Sequence, residues 1–285
     1  MSKWGQRNWF ITGASAGFGR ALTEAVLARG GRVVATARNP DTLRELATAS
    51  GGRLLALELD VSKADQIASA VEKAAGFGGI DELVNNAGYG FLGAMEEFSD
   101  AEIDAIFNVN FFGAVRLTRA VLPQMRARRS GYVVNFSSIA GSVGHASSSY
   151  YSATKYALEA VSESLAEEGK ALGIGVMIVV AGAFRTDFFG RSIAFAANAI
   201  ADYGVNSMIR GYVGSNDGIQ PGDPVRGSGM IIDAMESANP PLRLLLGLES
   251  HMVVHGALSS RLAEIDAQKE SSLQACYPEA LAGKG

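Results

Sequence analysis

Residues 8–19 read Asn8-Trp9-Phe10-Ile11-Thr12-Gly13-Ala14-Ser15-Ala16-Gly17-Phe18-Gly19. The short apolar run from Asn8 to Thr12 has the length and the boundary of a buried strand. Three glycines in the next seven residues make a tight turn. A helix follows from about Gly17 to Arg29 and closes at Gly30-Gly31. A turn from a strand into a helix exposes free backbone N–H groups at the positive end of the helix dipole, which suits a phosphate. Glycines let the backbone approach that phosphate with no Cβ in the way. The spacing, Gly-x-x-x-Gly-x-Gly, is not the common G-x-G-x-x-G fingerprint. Its weight comes from its place directly after a first strand.

The pattern then repeats outward. Strands are expected at Arg32–Ala37, Leu54–Leu59, Glu82–Asn85, Tyr132–Ser137, Gly175–Val180 and Leu242–Leu246. Helices are expected from Pro40 to Ala49 with Asn39 as cap, from Lys63 to Ala75 with Asp60 or Ser62 as cap, and from Asp100 to Arg128 with a kink at Pro123. Another runs through Tyr151 to Leu172, and the tail beyond Gly247 is mostly helical. The strands are continuous apolar runs, as a parallel sheet covered on both faces requires. Strands alternating with amphipathic helices argue an α/β fold: a doubly wound parallel sheet of Rossmann type, about seven strands, with a helical C-terminal tail. No linker, repeat or low-complexity segment divides the chain, so residues 1–285 are expected to form a single domain.

Composition narrows the function classes. The 285 residues are 48% hydrophobic and 19% charged, with a net charge of -4. That balance gives no electrostatic footprint for nucleic acid or an anionic membrane. The single cysteine, Cys276, rules out an internal disulfide framework and fits a reducing compartment. His145, His251 and His255 lack a third ligand nearby, so no metal site is expected. The first residues lack a signal-peptide pattern, and the longest apolar run, Val176 to Phe184, is too short to span a bilayer. A soluble, cytoplasmic protein is expected.

Two further stretches carry chemistry. Tyr151 and Lys155 are four residues apart, one turn of a helix on the same face. An ammonium beside a phenol favours the phenolate and is expected to lower the tyrosine pKa from about 10 towards neutrality. Such a tyrosine exchanges a proton with a substrate oxygen near neutral pH. Ser138, at the end of a strand, is placed to donate a hydrogen bond to the same oxygen. The second strand ends Thr36-Ala37-Arg38 rather than in an acidic residue. A guanidinium forks onto phosphate, and Ser15 offers a second donor, so NADP(H) is favoured over NAD(H).

Taken in order, Thr12-Gly13-x-x-x-Gly17-x-Gly19, Asp60-Val61, Asn85-Asn86-Ala87-Gly88, Asn110, Ser138 and Tyr151-x-x-x-Lys155 resemble the short-chain dehydrogenase/reductases over roughly residues 8 to 187. Within that family the chain looks most like the hydroxysteroid and retinol dehydrogenase-like subgroup. The resemblance implies that Thr12 to Gly19, including Gly13, Ser15, Gly17, Phe18 and Gly19, cradle the pyrophosphate. It implies that Asp60 and Val61 meet the adenine, that Asn86, Ala87 and Gly88 line the cofactor, and that Thr186 holds the nicotinamide carboxamide. Asn110, Ser138, Tyr151 and Lys155 would be the catalytic tetrad: Tyr151 the general acid, Ser138 a stabiliser of the substrate oxygen, Lys155 a holder of the nicotinamide ribose, Asn110 the anchor of a relay water. Many members have Pro-Gly after the sixth strand where this chain has Ala181-Gly182, and Gly182 is expected to keep the backbone free there. Tyr150 has a threonine four residues on, not a lysine, and is expected to pack at the helix start.

Residues 183–223, beyond the carboxyl end of the sixth strand, are expected to cover the site. Val143, His145, Phe184 and Phe188 would join Ser138 and Tyr151 around a hydrophobic substrate. The reaction implied is reversible hydride transfer between NADP(H) and a small hydrophobic carbonyl or its secondary alcohol, in a homodimer or homotetramer. Two rivals stand beside it: an NAD-dependent alcohol dehydrogenase working oxidatively, and a non-catalytic NADP-sensing protein on the same fold.

Overall fold

In a computed structural model, which describes residues 7–277, the first half of the chain runs β1 (Asn8–Ile11), α1 (Gly17–Ala28), β2 (Arg32–Ala37), α2 (Arg44–Ala49), β3 (Leu54–Glu58), α3 (Ala64–Gly76), β4 (Glu82–Asn85), β5 (Gly90–Leu92), α4 (Asp100–Phe107), α5 (Ala114–Arg128) and β6 (Gly131–Phe136). The second half runs α6 (Ser149–Gly169), β7 (Ile174–Ala181), α7 (Phe188–Arg191), β8 (Ile193–Phe195), α8 (Gly204–Asn216), α9 (Pro224–Glu236), β9 (Arg243–Leu246), α10 (Leu248–Ala267) and α11 (Lys269–Leu273). Seven strands form one sheet in the order β3-β2-β1-β4-β6-β7-β9, and every pair in it is parallel. The chain leaves β1 towards β2 and β3, then returns to pair β4 on the other side of β1. Between β1 and β4 the connections diverge and leave a crevice at the carboxyl ends, where ligands bind in such sheets.

Alternation along each strand divides the core. Trp9, Ile11, Val33, Ala35 and Val134 pack on one face with Leu22 and Val26 of α1 and Ile231 and Ile232 of α9. Phe10, Val34, Leu83 and Val133 pack on the other with Ile67 of α3 and Leu117, Val121 and Met125 of α5. Burying each large side chain fully stabilises the fold by about 1.5–3 kcal/mol relative to leaving it exposed. This is why the strands carry almost no polar alternation.

Three expectations need correction. The helix from Asp100 to Arg128 is interrupted at Asn108–Gly113, a π-helical turn between α4 and α5, whereas α5 runs through Pro123 without a break. The second helix opens as a 3-10 turn at Pro40–Leu43, with Asn39 accepting from the Asp41 N–H. Residues 183–223 hold more structure than their sequence suggests: α7, β8 and α8, with β8 pairing in parallel with β5 in a separate two-stranded sheet. Helix α9 carries its own start signal, Asp223 as cap before Pro224, which the sequence reading passed over.

Candidate active site

The glycine turn is shaped by close approach. Gly13 and Gly17 have φ of 67° and 54°, a region that favours glycine. A Cβ on Gly19 would lie 2.3 Å from the Gly13 carbonyl oxygen and 2.6 Å from Asn86 Nδ2. Ala16 caps α1 and offers no side-chain bond to the first N–H groups of the helix. A cradle closed to side chains, at an uncapped helix start, fits a dinucleotide phosphate. Ser15 and Phe18 are part of this turn and half-buried. The Phe18 ring does not face the cradle; it packs on Phe136 and Phe184 at 5.3 Å and 4.7 Å between centroids.

Thr12 ties the cradle to the end of β4, a role the motif alone does not reveal. Its Oγ1 accepts from the N–H groups of Asn86 and Ala87 at 3.0 and 2.9 Å and donates to the Val84 carbonyl at 3.2 Å. Asn86 Nδ2 returns the contact by donating to the Thr12 carbonyl at 2.8 Å. The Ala14 N–H donates to the Thr36 carbonyl at 2.9 Å, which brings the turn beside the end of β2. Arg38 follows there, exposed and without a partner among the described residues. Past the end of β3, Asp60 folds on itself rather than capping α3: its Oδ1 accepts from the N–H and Oγ of Ser62 at 2.9 and 2.7 Å. Val61 is buried against Gly113 in the π-turn.

The π-turn sets Asn110. A π-turn inserts one residue and turns a side chain off its α-helical direction. Asn110 Oδ1 accepts from the Tyr89 N–H at 3.0 Å, and Nδ2 donates to the Tyr89 carbonyl at 2.8 Å. A Cβ on the adjoining Gly88 would lie 3.1 Å from Asn110 Oδ1 and 3.7 Å from Lys155 Nζ. Asn110 and Lys155 thus border the same glycine.

Tyr151 and Lys155 lie on the first turns of α6, and Ser138 on the loop leaving β6. Lys155 Nζ is 5.8 Å from the centre of the Tyr151 ring and donates to the Phe136 carbonyl at 2.7 Å. The expected acidification of Tyr151 does not occur. Desolvation by the protein packed around it pushes its phenol up to about 12, against a smaller lowering by a hydrogen bond with Ser138. Desolvation also brings Lys155 down to about 8, opposed by the nearby Glu159 carboxylate. Burial dominates at both groups, and the phenol is neutral at pH 7.

The other expected residues divide. Phe188 flanks Tyr151 at 6.2 Å between ring centres. Thr186 sits against Gly17, its Cβ 3.3 Å from where a Gly17 Cβ would be, which joins the loop after β7 to the phosphate cradle. Val143 is half-buried. The side chain of His145 is exposed, while its carbonyl accepts from the N–H and Oγ of Ser148 just before α6. Phe184 is not a pocket residue: it is buried in the core with Phe18, where the glycines at 222 and 227 leave room for its ring. Gly182 has no left-handed backbone; a Cβ there would lie in tight contact, 3.3 Å from Glu249 and from the Ser250 nitrogen. Tyr150 packs edge-on against Phe98 at 5.0 Å, as expected of a residue at the helix start.

The family model for short chain dehydrogenases matches residues 7–195. The chain belongs to the short-chain dehydrogenase family. It is thereby an oxidoreductase. Oxidoreductase BOA17 of Botryotinia fuckeliana is 33% identical over 241 residues, which cover 84% of this chain and 88% of the relative. Retinol dehydrogenase 8 of Bos taurus is 36% identical, covering 83% and 80%. A 3-ketodihydrosphingosine reductase of Bacteroides thetaiotaomicron is 38% identical over 202 residues, covering 70% and 72%. Among solved structures, a short-chain dehydrogenase from Streptomyces avermitilis superposes with a TM-score of 0.88 at 40% identity, over 95% of this chain and all of that one. A metagenomic short-chain oxidoreductase in complex with NADP superposes at 0.68 and 28% identity, over 86% and 98%.

Proposed function

We propose that this short-chain dehydrogenase is an NADP(H)-dependent oxidoreductase that interconverts a carbonyl and a secondary alcohol on a hydrophobic substrate, with Tyr151 as general acid and base. The observation that carries the reading is the meeting of Ser138, Tyr151, Lys155 and Asn110 at the carboxyl ends of the strands, beside the closed glycine cradle. The nicotinamide cofactor, when bound, supplies or takes the hydride. The glycine turn, Thr186 and the Asn86–Gly88 loop would hold it, with Asp60 and Val61 at its adenine end.

Each side chain then has one task. Ser138 steadies the substrate oxygen. Tyr151, a neutral phenol, donates its proton to that oxygen as negative charge develops. Lys155 holds positive charge against the site and binds the ribose. The Asn110 amide is already engaged with Tyr89, so the relay water falls to the main chain of the π-turn. Residues 183–223 serve as the substrate cover of a single NAD(P)-binding unit, with Phe188 beside Tyr151 as a wall for the substrate. Relatives that reduce a ketosphingoid base or oxidise retinol, by their names, support an apolar substrate. No helix among the described residues is long and apolar enough to cross a membrane, in keeping with a cytoplasmic enzyme. The apolar groove between α5 and α6, lined by Val115, Leu122, Val161 and Leu165, supports a homodimer or homotetramer joined through those helices.

A panel of aldehydes and ketones tested with NADPH and with NADH decides the reading. Consumption of NADPH by apolar ketones is expected; failure with every carbonyl and both cofactors rejects it in favour of a cofactor-sensing role. Arg38→Ala should lower kcat/KM for NADPH by about 10- to 100-fold, the scale of a lost charge-assisted pair, and leave NADH unchanged. An equal response of both cofactors contradicts the assignment of Arg38.

The pH dependence follows from Lys155. Its ammonium is present below about 8 and lost above it. Reduction should therefore hold its rate from neutrality to about pH 8 and decline above. A rate of reduction that stays flat through the alkaline range, measured at saturating NADPH, would remove the charge of Lys155 from the mechanism.

A further inference from the structure

The segment over the site is poorly packed for its length. Between residues 188 and 216, the buried side chains among those described are Ala196, Asn206 and Val213. Met208 and Tyr212, on α8, are exposed. Apolar burial on this scale does not fix a segment of that size against solvent. Beyond the short pairing of β8 with β5, what holds it are carboxylates from one short stretch, residues 96–102.

Glu97 is the centre of that set. It is 2% exposed, in the turn after β5. Its Oε1 accepts from the Ile200 N–H at 2.7 Å. Its Oε2 accepts from the Asn206 side-chain amide at 2.6 Å and from its own neighbour, the Ala94 N–H, at 2.7 Å. Two further glutamates support it: Glu102 accepts from the Ala197 N–H at 3.1 Å, and Glu96 from the Tyr203 hydroxyl at 2.7 Å. The bonds to Glu97 itself, the Ile200 N–H first and then those from Ala94 and Asn206, hold its carboxyl below the usual carboxylate range.

The contact continues to the catalytic helix. Asn206 Oδ1 accepts from Ser147 Oγ. Ser147 is buried, has a φ of 65°, and offers its carbonyl to the Gly93 N–H at 2.8 Å. A serine held in the left-handed region is strained and persists only where its surroundings impose it. Ser147 stands four residues before Tyr151.

We propose that Glu97 is a positioning residue for substrate: through Asn206 and Ile200 it fastens the cover onto the loop that leads into the Tyr151 helix, and so sets affinity for the carbonyl without touching it. This rests on the reading of residues 183–223 as the substrate cover. The chemistry of the junction is specific. A carboxylate accepts from donors on both of its oxygens, whereas a glutamine must turn an NH2 group towards one of them.

The test uses Glu97→Gln, Asn206→Asp and the double variant, in the full chain. Amide exchange is followed at residues 193–216 of the protein alone, and KM for 2-decanone is measured with saturating NADPH. Each single variant is expected to speed exchange at Ala197 and Ile200 and to raise KM about ten-fold, the effect of breaking one buried charge-assisted bond, with kcat much less affected. In the double variant the glutamine NH2 donates to the new aspartate while its oxygen keeps the Ile200 N–H, and only the bond from the Ala94 N–H is given up, so both readouts should return part of the way towards those of the parent. Rescue is not a property of general destabilisation, and it covers the case in which one single variant folds poorly. Unchanged exchange at Ala197 and Ile200 in both single variants overturns the proposal. So does a loss confined to kcat, or a double variant no better than the worse single one. The exchange arm needs no turnover. If no carbonyl is reduced but exchange responds and is rescued, the reductase reading fails while the fastening role of Glu97 stands.

Discussion

Tyr151→Phe is expected to give a folded protein that binds NADPH as the parent does and reduces carbonyls about a thousandfold more slowly, within the range set by removal of a general acid. The size of the effect follows from the surroundings. Burial pushes the phenol up to about 12, so at neutral pH its proton is in place for delivery. Nothing nearby substitutes for it. The hydroxyl of Tyr150 is directed to the Met95 carbonyl at 3.4 Å, the His145 side chain is exposed, and the Lys155 ammonium is committed to the Phe136 carbonyl. Removing the hydroxyl deletes one hydrogen bond with Ser138, a change of about 1 kcal/mol in stability, so lost turnover is not lost fold. Tyr150→Phe is the matched control and should retain parental rates. Turnover in Tyr151→Phe close to the parent, measured by NADPH consumption, would exclude Tyr151 as the acid.

The second large effect is at the cradle. Gly19→Ala places a Cβ where only 2.3 Å separates it from the Gly13 carbonyl oxygen and 2.6 Å from Asn86 Nδ2. The turn has little freedom to move aside, because the Thr12 hydroxyl, Asn86 and the bond from Ala14 to Thr36 fix it on three sides. Overpacking of this kind costs about 1–3 kcal/mol in stability. Displacing the helix start by even a few tenths of an ångström weakens charge-assisted bonds to a phosphate, and a rise in the Kd for NADPH of about 100-fold is expected from the loss of one or two of them. Gly76→Ala is the control. It lies at the end of α3, with nothing within 4 Å of a Cβ. Fluorescence titration with NADPH reads both variants, and an unaltered Kd in Gly19→Ala would mean that the cradle does not hold the cofactor.

The main sheet was readable from the chain because its central strands are buried on both faces, so their apolar runs are continuous. Arg32–Ala37 and Glu82–Asn85 are strands over the residues expected. Strands β5 and β8, of three residues each, have no such run; only their pairing across the chain defines them. The π-turn at Asn110 has no local signature either; the partner of its amide, the Tyr89 main chain, lies 21 residues earlier in the sequence. The ordered motifs fall together at the carboxyl ends of the strands. Two finer points were out of reach. An aromatic residue in a loop reads alike whether it faces a pocket or the core, and the environment of Phe184 is made by glycines about 40 residues downstream. The balance between burial and charge at Tyr151 depends on how much protein surrounds both partners, which spacing does not encode.

The thin packing of the cover has a further consequence, for inheritance. The family model ends at Phe195, the last residue of β8. Beyond it lies a stretch joined to the body by a three-residue strand pair and a few carboxylate bonds, with few buried side chains to match. Residues 196–216 supply no strand to the seven-stranded sheet and no residue to the glycine cradle. On the proposed function, descendants of such a chain can trade one cover for another and change what they act on, while the residues proposed for the cofactor pass down intact.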